Sequence, residues 1–398
     1  MFGARVLIST ITPISGGVPQ MTRFVIDCLE ERGYRPVLGY YQPYSMTPEL
    51  SVPSFQLLRK RMGFRVEKIW NEYEAHAMGA WLPELEFTHY WPTRPWKALM
   101  DSCDYHVSVS GNCLAGLPFA LSDRPYLAWV ASSWHGDRKD RVRFFPWPRR
   151  LLDRLINAQV ISRLERKILS RGTIIALSQY TRSELNALSR ADVTQAVMPM
   201  PVDEPSFVSD PERVIRGRIG FVGRFNDPRK NIGLLLEAVA ACRQRGLPIT
   251  AELVGDQQIA PLQVRLGSLG LKDAVTCIPL LDHEQLAQHL QSYDVFVVPS
   301  HQEGLCIAAL EAMACGCPVI STRCGGPEEF VRDGKTGFLV DDQPNKLADA
   351  IARVVLDRGL RSILAEGACR LISERYSLAT VKQQFWNAFE QAFQPHYP

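Results

Sequence analysis

No apolar run in this chain approaches the length of a membrane span. Even the longest, six residues as at 126–131 and 305–310, with a further buried-strand run around 294–299, fall far short of the ~18 residues that a spanning helix needs. Its ten cysteines form no CxxC pair and no His/Cys ligand spacing, which excludes a zinc module or a disulfide frame and predicts buried thiols. Cys315-Gly316-Cys317 is too tight for a metal site of its own. The opening MFGARVLIST has no basic region, no long apolar core and no cleavage site, so it reads as a strand and not as a signal peptide. Low-complexity segments are missing. Neither sign of charge dominates, with 45 Lys+Arg against 42 Asp+Glu. What is there is ordinary for a globular chain, 46% apolar and 22% charged, which excludes disorder, a fibre and a pure coiled coil. Its 398 residues suit two or three domains.

The net charge of +3 is unevenly placed. Residues 138–171 hold eleven basic and three acidic residues, a local +8. A nucleic-acid binder would use such a patch, but no RNA-recognition, helix-turn-helix or zinc signature accompanies it, and the pI near 8.3 is mild. No nucleic-acid partner is expected.

The first 41 residues read as strand, loop, helix, strand. Met21, Phe24, Val25, Cys28 and Leu29 recur at the spacing of one helix face. From 42 to 96 Pro, Trp, Tyr and Met crowd together and no period holds, which reads as variable loop-and-helix material. DYHVSVS, PYLAWV and GTIIALS return to strand composition. Between the last two, residues 138–171 read as a helix with an apolar stripe of Leu151, Leu152, Leu155, Ile156, Val160, Leu164 and Ile168. A proline-rich stretch at 198–207 reads as a linker. Short apolar strands and helices then alternate from RIGFVG onward. Such alternation predicts an α/β fold of two doubly wound, Rossmann-like domains facing a cleft, over residues 1–205 and 206–375. A ligand is expected at the carboxyl ends of the strands.

Four constellations could carry chemistry there. In PSHQEGLCIAALEAMACGCPVIST a buried strand runs into a polar loop and a helix expected to begin near Gly304. Glu303 and Glu311 would then lie about 12 Å apart along the axis. That matches the span from a hexose to a ribose with a diphosphate between them. The N–H groups of Gly304, Leu305, Cys306 and Ile307 would face that diphosphate. The plainer reading makes Glu303 an N-terminal charge and Glu311 a solvated helix residue. In FVGRFNDPRKN Arg224 and Lys230 suit a diphosphate leaving group; whether Arg229 or Lys230 points inward stays open. Ser15-Gly16-Gly17 either cradles a phosphate or simply turns. In SSWHGDRKD His135 is either a base near the reacting sugar or an inert loop histidine, with Asp137 as its companion.

These residues resemble the glycosyltransferase family 4 group of retaining, nucleotide-sugar-dependent enzymes of the GT-B fold, closely over 213–345 and diffusely before. The E-x7-E motif reads Glu303-GLCIAAL-Glu311, and the glycine-arginine-lysine motif reads Gly223-Arg224…Lys230. The ELVGD, YDVFVVPS and GGPEEFVRDGKTGFLV segments are also similar to this family. Two features depart from it: the Arg-to-Lys loop is one residue longer, and Pro279 stands where glycine is frequent.

The resemblance implies that Arg224 and Lys230 hold the donor diphosphate, Glu303 the sugar hydroxyls and Glu311 the ribose. Gly16 and Gly17 would face the diphosphate, and His135 would stand near the transferred sugar. It implies a UDP- or GDP-linked sugar donor and a glycan or lipid-linked acceptor bound by the N-terminal domain. No cofactor and no essential metal are expected, the cations replacing it. Residues 376–398 would cross back to the first domain as a helix. The expected role is assembly of a bacterial-type surface polysaccharide or glycolipid. The expected location is the cytoplasm, peripherally at the inner face of the membrane. Two alternatives remain: an epimerase or hydrolase of the same fold, and a non-catalytic nucleotide-sugar-binding subunit. An anionic membrane surface is a further expected partner of Arg138–Arg171, where Phe144, Phe145 and Trp147 stand beside the stripe. The plainer reading packs the stripe on the N-terminal sheet.

Overall fold

The computed structural model of the protein describes residues 3–12, 16–70, 72–138, 142, 145–203, 206–255 and 260–394. Ser15 and Phe144 lie outside them. The chain divides into two compact units, residues 1–198 with 382–398, and residues 199–381.

The first unit is built on β1 (Arg5–Thr10), β2 (Arg35–Tyr41), β3 (Phe64–Ile69), β4 (Tyr73–Met78), β5 (Tyr105–Ser110), β6 (Leu127–Val130), β7 (Thr173–Ala176) and β8 (Thr194–Val197). Their order in the sheet is β3-β4-β2-β1-β5-β6-β7-β8. Every pairing is parallel except β3 with β4. Val6, Leu7 and Ile8 are wholly buried, because helices cover both faces of a parallel sheet. The chain lays β2 and β4 on one side of β1 and then returns to lay β5 on the other. That reversal makes the β1/β5 edge the switch point, where strand carboxyl ends leave a crevice. Gly39 on β2 lets the indole of Trp96 lie against the strand: a Cβ there would sit 2.8 Å from Trp96 Cζ3.

The β3–β4 hairpin corrects the reading of residues 42–96 as loops and helices. Its strands FRVEKI and YEAHAM carry little β-branching and mixed polarity. They pair because β4 adds onto β2 and buries Ala75, Ala77 and Met78.

The last helix, Leu378–Phe393, passes into the first unit at Lys382. Phe385 meets Phe24 edge-on at 6.3 Å, and Trp386 stacks on Tyr34 at 6.0 Å. Arg32 lies 3.8 Å over the Trp386 ring and pairs with Glu390 at 3.1 Å. The apolar spacing of this helix thus answers an aromatic surface.

The second unit has β9 (Arg218–Gly223), β10 (Thr250–Gly255), β11 (Val275–Pro279), β12 (Val295–Val298), β13 (Val319–Thr322) and β14 (Gly337–Val340). All run parallel in the order β11-β10-β9-β12-β13-β14. The switch point lies between β9 and β12. The proline-rich stretch read as a linker is partly structured within this unit. Val202 N–H donates to Tyr376 O at 2.9 Å, and Val202 bridges Ser377. Under the sheet, wholly buried Asp294 accepts from Arg361 Nε at 2.9 Å, Arg358 Nη1 at 2.7 Å and Gly217 N at 2.9 Å. A buried carboxylate needs this many donors to offset its lost hydration.

Candidate functional site

At the second unit's switch point the loop after β9 meets the loop after β12. Asp227 caps a short turn, Pro228–Lys230, by accepting from Arg229 N at 3.1 Å. The turn throws Lys230 toward β12, where Nζ donates to Glu303 Oε1 at 2.8 Å. Ser300 Oγ donates to the same oxygen at 2.5 Å. Both charged side chains are mostly buried. Burial opposes the Lys230 charge, yet Glu303 beside it more than offsets this and lifts the ammonium above its ordinary range. A fixed, fully charged ammonium beside a carboxylate offers a donor to an anion and an acceptor to a hydroxyl at one spot.

Arg224 and Arg229 both engage Asp227, each at 2.8 Å from Oδ2. Burial alone would raise the Asp227 carboxyl, but Arg229 and Arg224 hold it well below the usual carboxylate range. Arg229 is mostly covered and also reaches Gln302 Oε1 at 3.4 Å, whereas the Arg224 side chain is 59% exposed. Arg224 is thus the cation with room to turn toward a ligand, and Lys230 the one already inside. A Cβ on Gly223 would lie 3.4 Å from Lys230 Cε, so glycine there gives the lysine stem its channel.

The helix expected to begin near Gly304 begins at Ile307 and runs to Ala314. Glu303 therefore lies outside it, in a bridge to Gly325: Glu303 N donates to Cys324 O at 2.7 Å, and Gly326 N donates to Glu303 O at 2.9 Å. The reason is Cys306, whose φ of 71° is left-handed and cannot continue a right-handed helix. The two glutamates are consequently not on one helix, and the axial spacing of about 12 Å does not apply. The turn leaves the N–H groups of Leu305, Cys306 and Ile307 without a partner among the described residues. Gly326 packs on this turn so tightly that a Cβ would meet Gly304 O at 2.5 Å. Glu311, on the helix proper, is not solvated. It is 7% exposed, and burial pushes its carboxyl up to about 7.

In the first unit, Gly16 and Gly17 follow β1 and open the helix Gly17–Glu31, with Gly16 at φ 109° and no side-chain cap. His135 follows β6, exposed on the short helix Trp134–Arg138. Carboxylates hold that helix from behind. Buried Glu165 accepts from Trp134 N at 2.9 Å, and Glu86 accepts from Trp134 Nε1 at 2.7 Å. Burial raises Glu165 to about 7.

Within this unit lies a cavity of about 620 Å³ that no motif in the sequence announces. It opens where β1 and β5 part. Its wall includes Thr12, Tyr44, Ser110, Asn112, Glu86 and Arg138. Tyr41 stacks on His89 at 3.8 Å and 10°. Burial drives His89 down to about 4, so it is neutral near pH 7. Its Nε2 lies 3.0 Å from Pro83 O and donates to it, which leaves Nδ1 as an acceptor. Glu86 pairs with Arg138 and Arg149, and both guanidiniums reach buried Asp153. The crowding of Tyr, Trp and Pro over 42–96 was the only trace of this site in the sequence, because its walls come from five separate stretches.

All ten cysteines are free. Among the described residues, no cluster of three His, Cys, Asp or Glu is placed to hold a metal, and no helix is long and apolar enough to cross a membrane.

Residues 216–357 match the family model for glycosyl transferases group 1. A D-inositol 3-phosphate glycosyltransferase of Geodermatophilus obscurus is 37% identical over 196 residues, 44% of this chain and 42% of that protein. The chain thus matches less than half the length of this relative. Sucrose-phosphate synthase of Thermosynechococcus elongatus superposes with a TM-score of 0.73 at 21% identity, over 98% of this chain and 99% of that one. Anabaena HepE, solved with UDP and glucose, superposes with a TM-score of 0.70 at 19% identity, over 98% and 100%. The chain therefore has the two Rossmann-like units of the GT-B fold, and the likeness to glycosyl transferases group 1 lies in residues 216–357 of the second unit.

Proposed function

We propose that the protein is a retaining glycosyltransferase that moves a hexose from a nucleoside-diphosphate sugar to a hydroxyl acceptor. The observation that carries this reading is the Lys230–Glu303 contact at the β9/β12 switch point, 2.8 Å across a sequence gap of 73 residues. In such a transfer the bond from the anomeric carbon to the diphosphate oxygen breaks, and the electron pair leaves with the phosphate. Lys230 and Arg224 bring positive charge to that oxygen, and the free N–H groups of Leu305, Cys306 and Ile307 add fixed dipoles. These cations serve in place of an essential metal. Glu303 accepts from sugar hydroxyls, and Glu311 from the ribose. The acceptor oxygen forms the new bond and gives up its proton to the departing diphosphate oxygen. Gly16, Gly17 and His135 are the first unit's contribution on this reading, with His135 toward the transferred sugar.

The acceptor is assigned to the cavity of the first unit. Its stacked Tyr41–His89 pair and its hydroxyl, amide and imidazole groups suit a ring rich in hydroxyls, such as a sugar or polyol. The relative named for D-inositol 3-phosphate and the HepE complex with UDP and glucose make a polyol acceptor and a UDP-sugar the first substrates to try. GDP-sugars are the second donor class. The cellular setting proposed is assembly of a surface polysaccharide or glycolipid in the cytoplasm, with peripheral contact to anionic membrane through Arg138–Arg171.

A thermal-shift panel of UDP, GDP, ADP and dTDP sugars tests the donor. One of them at a hundredfold excess over its Kd should add about 2.7 kcal/mol of stability. No shift with any of the four overturns the reading. Product analysis then separates transfer from hydrolysis or epimerisation.

A further inference from the structure

We infer that residues 55–68 of the first unit form a second lipid-contacting arm. Together with the helix starting at Trp147, it would seat this unit on an anionic bilayer beside the mouth of the polar cavity. The inference rests on the proposed membrane contact of Arg138–Arg171 and adds a surface that this contact does not include.

The observation is an apolar surface without cover. Phe55 is 73% exposed, Leu58 fully so, and Phe64 and Val66 are each about half exposed. Phe64 and Val66 share one face of β3, two residues apart, on the edge of the eight-stranded sheet. A folded chain rarely leaves so many large apolar side chains exposed within one short stretch without a use for them.

The charges between those tips identify the occupant. Residues 55–68 hold five basic residues and one acidic residue, net +4. Glu67, the acidic one, is occupied by Arg65 and by the Tyr40 hydroxyl. Arg59, Arg61 and Lys68 have no partner among the described residues. Apolar tips alternating with unpaired cations fit the headgroup boundary of an anionic bilayer. There the tips enter the acyl region and the cations meet phosphate.

The arm is continuous with the helix at Trp147 through one residue, Glu84. Ser54 N and Oγ donate to Glu84 Oε1 at 2.9 and 3.0 Å. Arg149 Nη1 donates to Glu84 O at 3.4 Å. Beyond Arg149, Trp147, Leu151 and Leu155 recur at i, i+4 and i+8 and are 69%, 48% and 59% exposed. Pro83 and Glu86, on either side of Glu84, belong to the cavity wall. Both arms therefore join the fold at the rim of the cavity, so a headgroup rising from the bilayer would meet the cavity directly.

The test is flotation of the full chain with phosphatidylglycerol/phosphatidylcholine vesicles and with phosphatidylcholine vesicles, at low and high salt. Wild type should float with the anionic vesicles at low salt only. Phe55→Ser with Leu58→Ser, and separately Arg59→Gln with Arg61→Gln, should each cut binding on the order of tenfold. Trp147→Ser with Leu151→Ser should do the same, and all melting temperatures should stay within a degree or two because these side chains are exposed. If only the Trp147 pair matters, the second arm is refuted while the first contact stands. If wild type floats with neither vesicle, the membrane contact itself is refuted. If the Phe55 pair instead converts a dimer to a monomer in sedimentation, the surface joins two copies of this chain and the lipid assignment falls.

Discussion

Glu303 shows how much a single residue's role depends on backbone that spacing cannot reveal. The E-x7-E pair stands out in the sequence, and so does the Arg224–Lys230 loop. The bend between the glutamates does not, because a cysteine with a φ of 71° carries no compositional sign. Its consequence is that Glu303 meets Lys230 directly. Glu303→Gln keeps the shape but removes the charge that holds Lys230, and it should lower turnover on the order of 10²–10³-fold with little change in melting temperature. Turnover at the wild-type level would remove Glu303 from the chemistry.

Glu311 makes a second prediction at this scale. Burial lifts its carboxyl to about 7, whereas in the unfolded chain it titrates near its ordinary value. Between about pH 4.5 and 7 the folded state then holds the extra proton. Stability is therefore highest on the acid side of this window and falls as pH rises through it, by about 3 kcal/mol at most for this one group. Glu165 behaves alike in the first unit, with its carboxyl at about 7. Denaturant melts from pH 5 to 8 should show the decline in wild type and a flatter profile in Glu311→Gln. An unchanged profile in that variant would place the titrating group elsewhere.

Among the elements, the helical stretch from Trp147 to Leu169 departs most from its sequence pattern. Its apolar stripe had two readings, contact with a membrane or packing on the sheet; Ile168 is buried in the core with Leu164 packed against it, yet Leu151, Leu155 and Ile156 face solvent while Asp153 and Asn157 are buried. Hydrogen bonding explains the inversion. Asp153 takes Arg138 and Arg149, and Asn157 Nδ2 donates to Asp153 Oδ1 at 2.8 Å. Periodicity shows which residues are apolar but not that an ion-pair network will claim the other face. The last helix is the opposite case: Phe385, Trp386 and Phe389 were legible as one face and pack as one. In the second unit the helix Arg358–Arg375 is held to the start of β12 partly through Asp294. Asp294→Ala would leave Arg361 buried without its partner and should cost about 3–5 kcal/mol. Chemical denaturation measures this, and a loss below 1 kcal/mol would contradict the account of that ion cluster.

For the molecule as a whole, β1, β2, β5, β6 and β7 of the first sheet and all six strands of the second coincide with apolar runs in the sequence, because buried parallel strands and amphipathic helices alternate there; β8, a mere TQAV, carries no such run. What the pattern left out is where irregular chain is brought together: the β3–β4 hairpin, and the cavity whose walls converge only once β1, β2 and β5 lie side by side. The chemistry proposed for the molecule depends on one ammonium placed at a switch point. Calorimetric titration of UDP and GDP into wild type and Lys230→Ala tests it most directly. Wild type should bind one nucleotide measurably, and the variant should bind it with a Kd weaker by about 10- to 100-fold, the loss of a charge-assisted hydrogen bond of about 1.5–3 kcal/mol. Equal affinity in the two proteins would show that Lys230 does not hold the diphosphate.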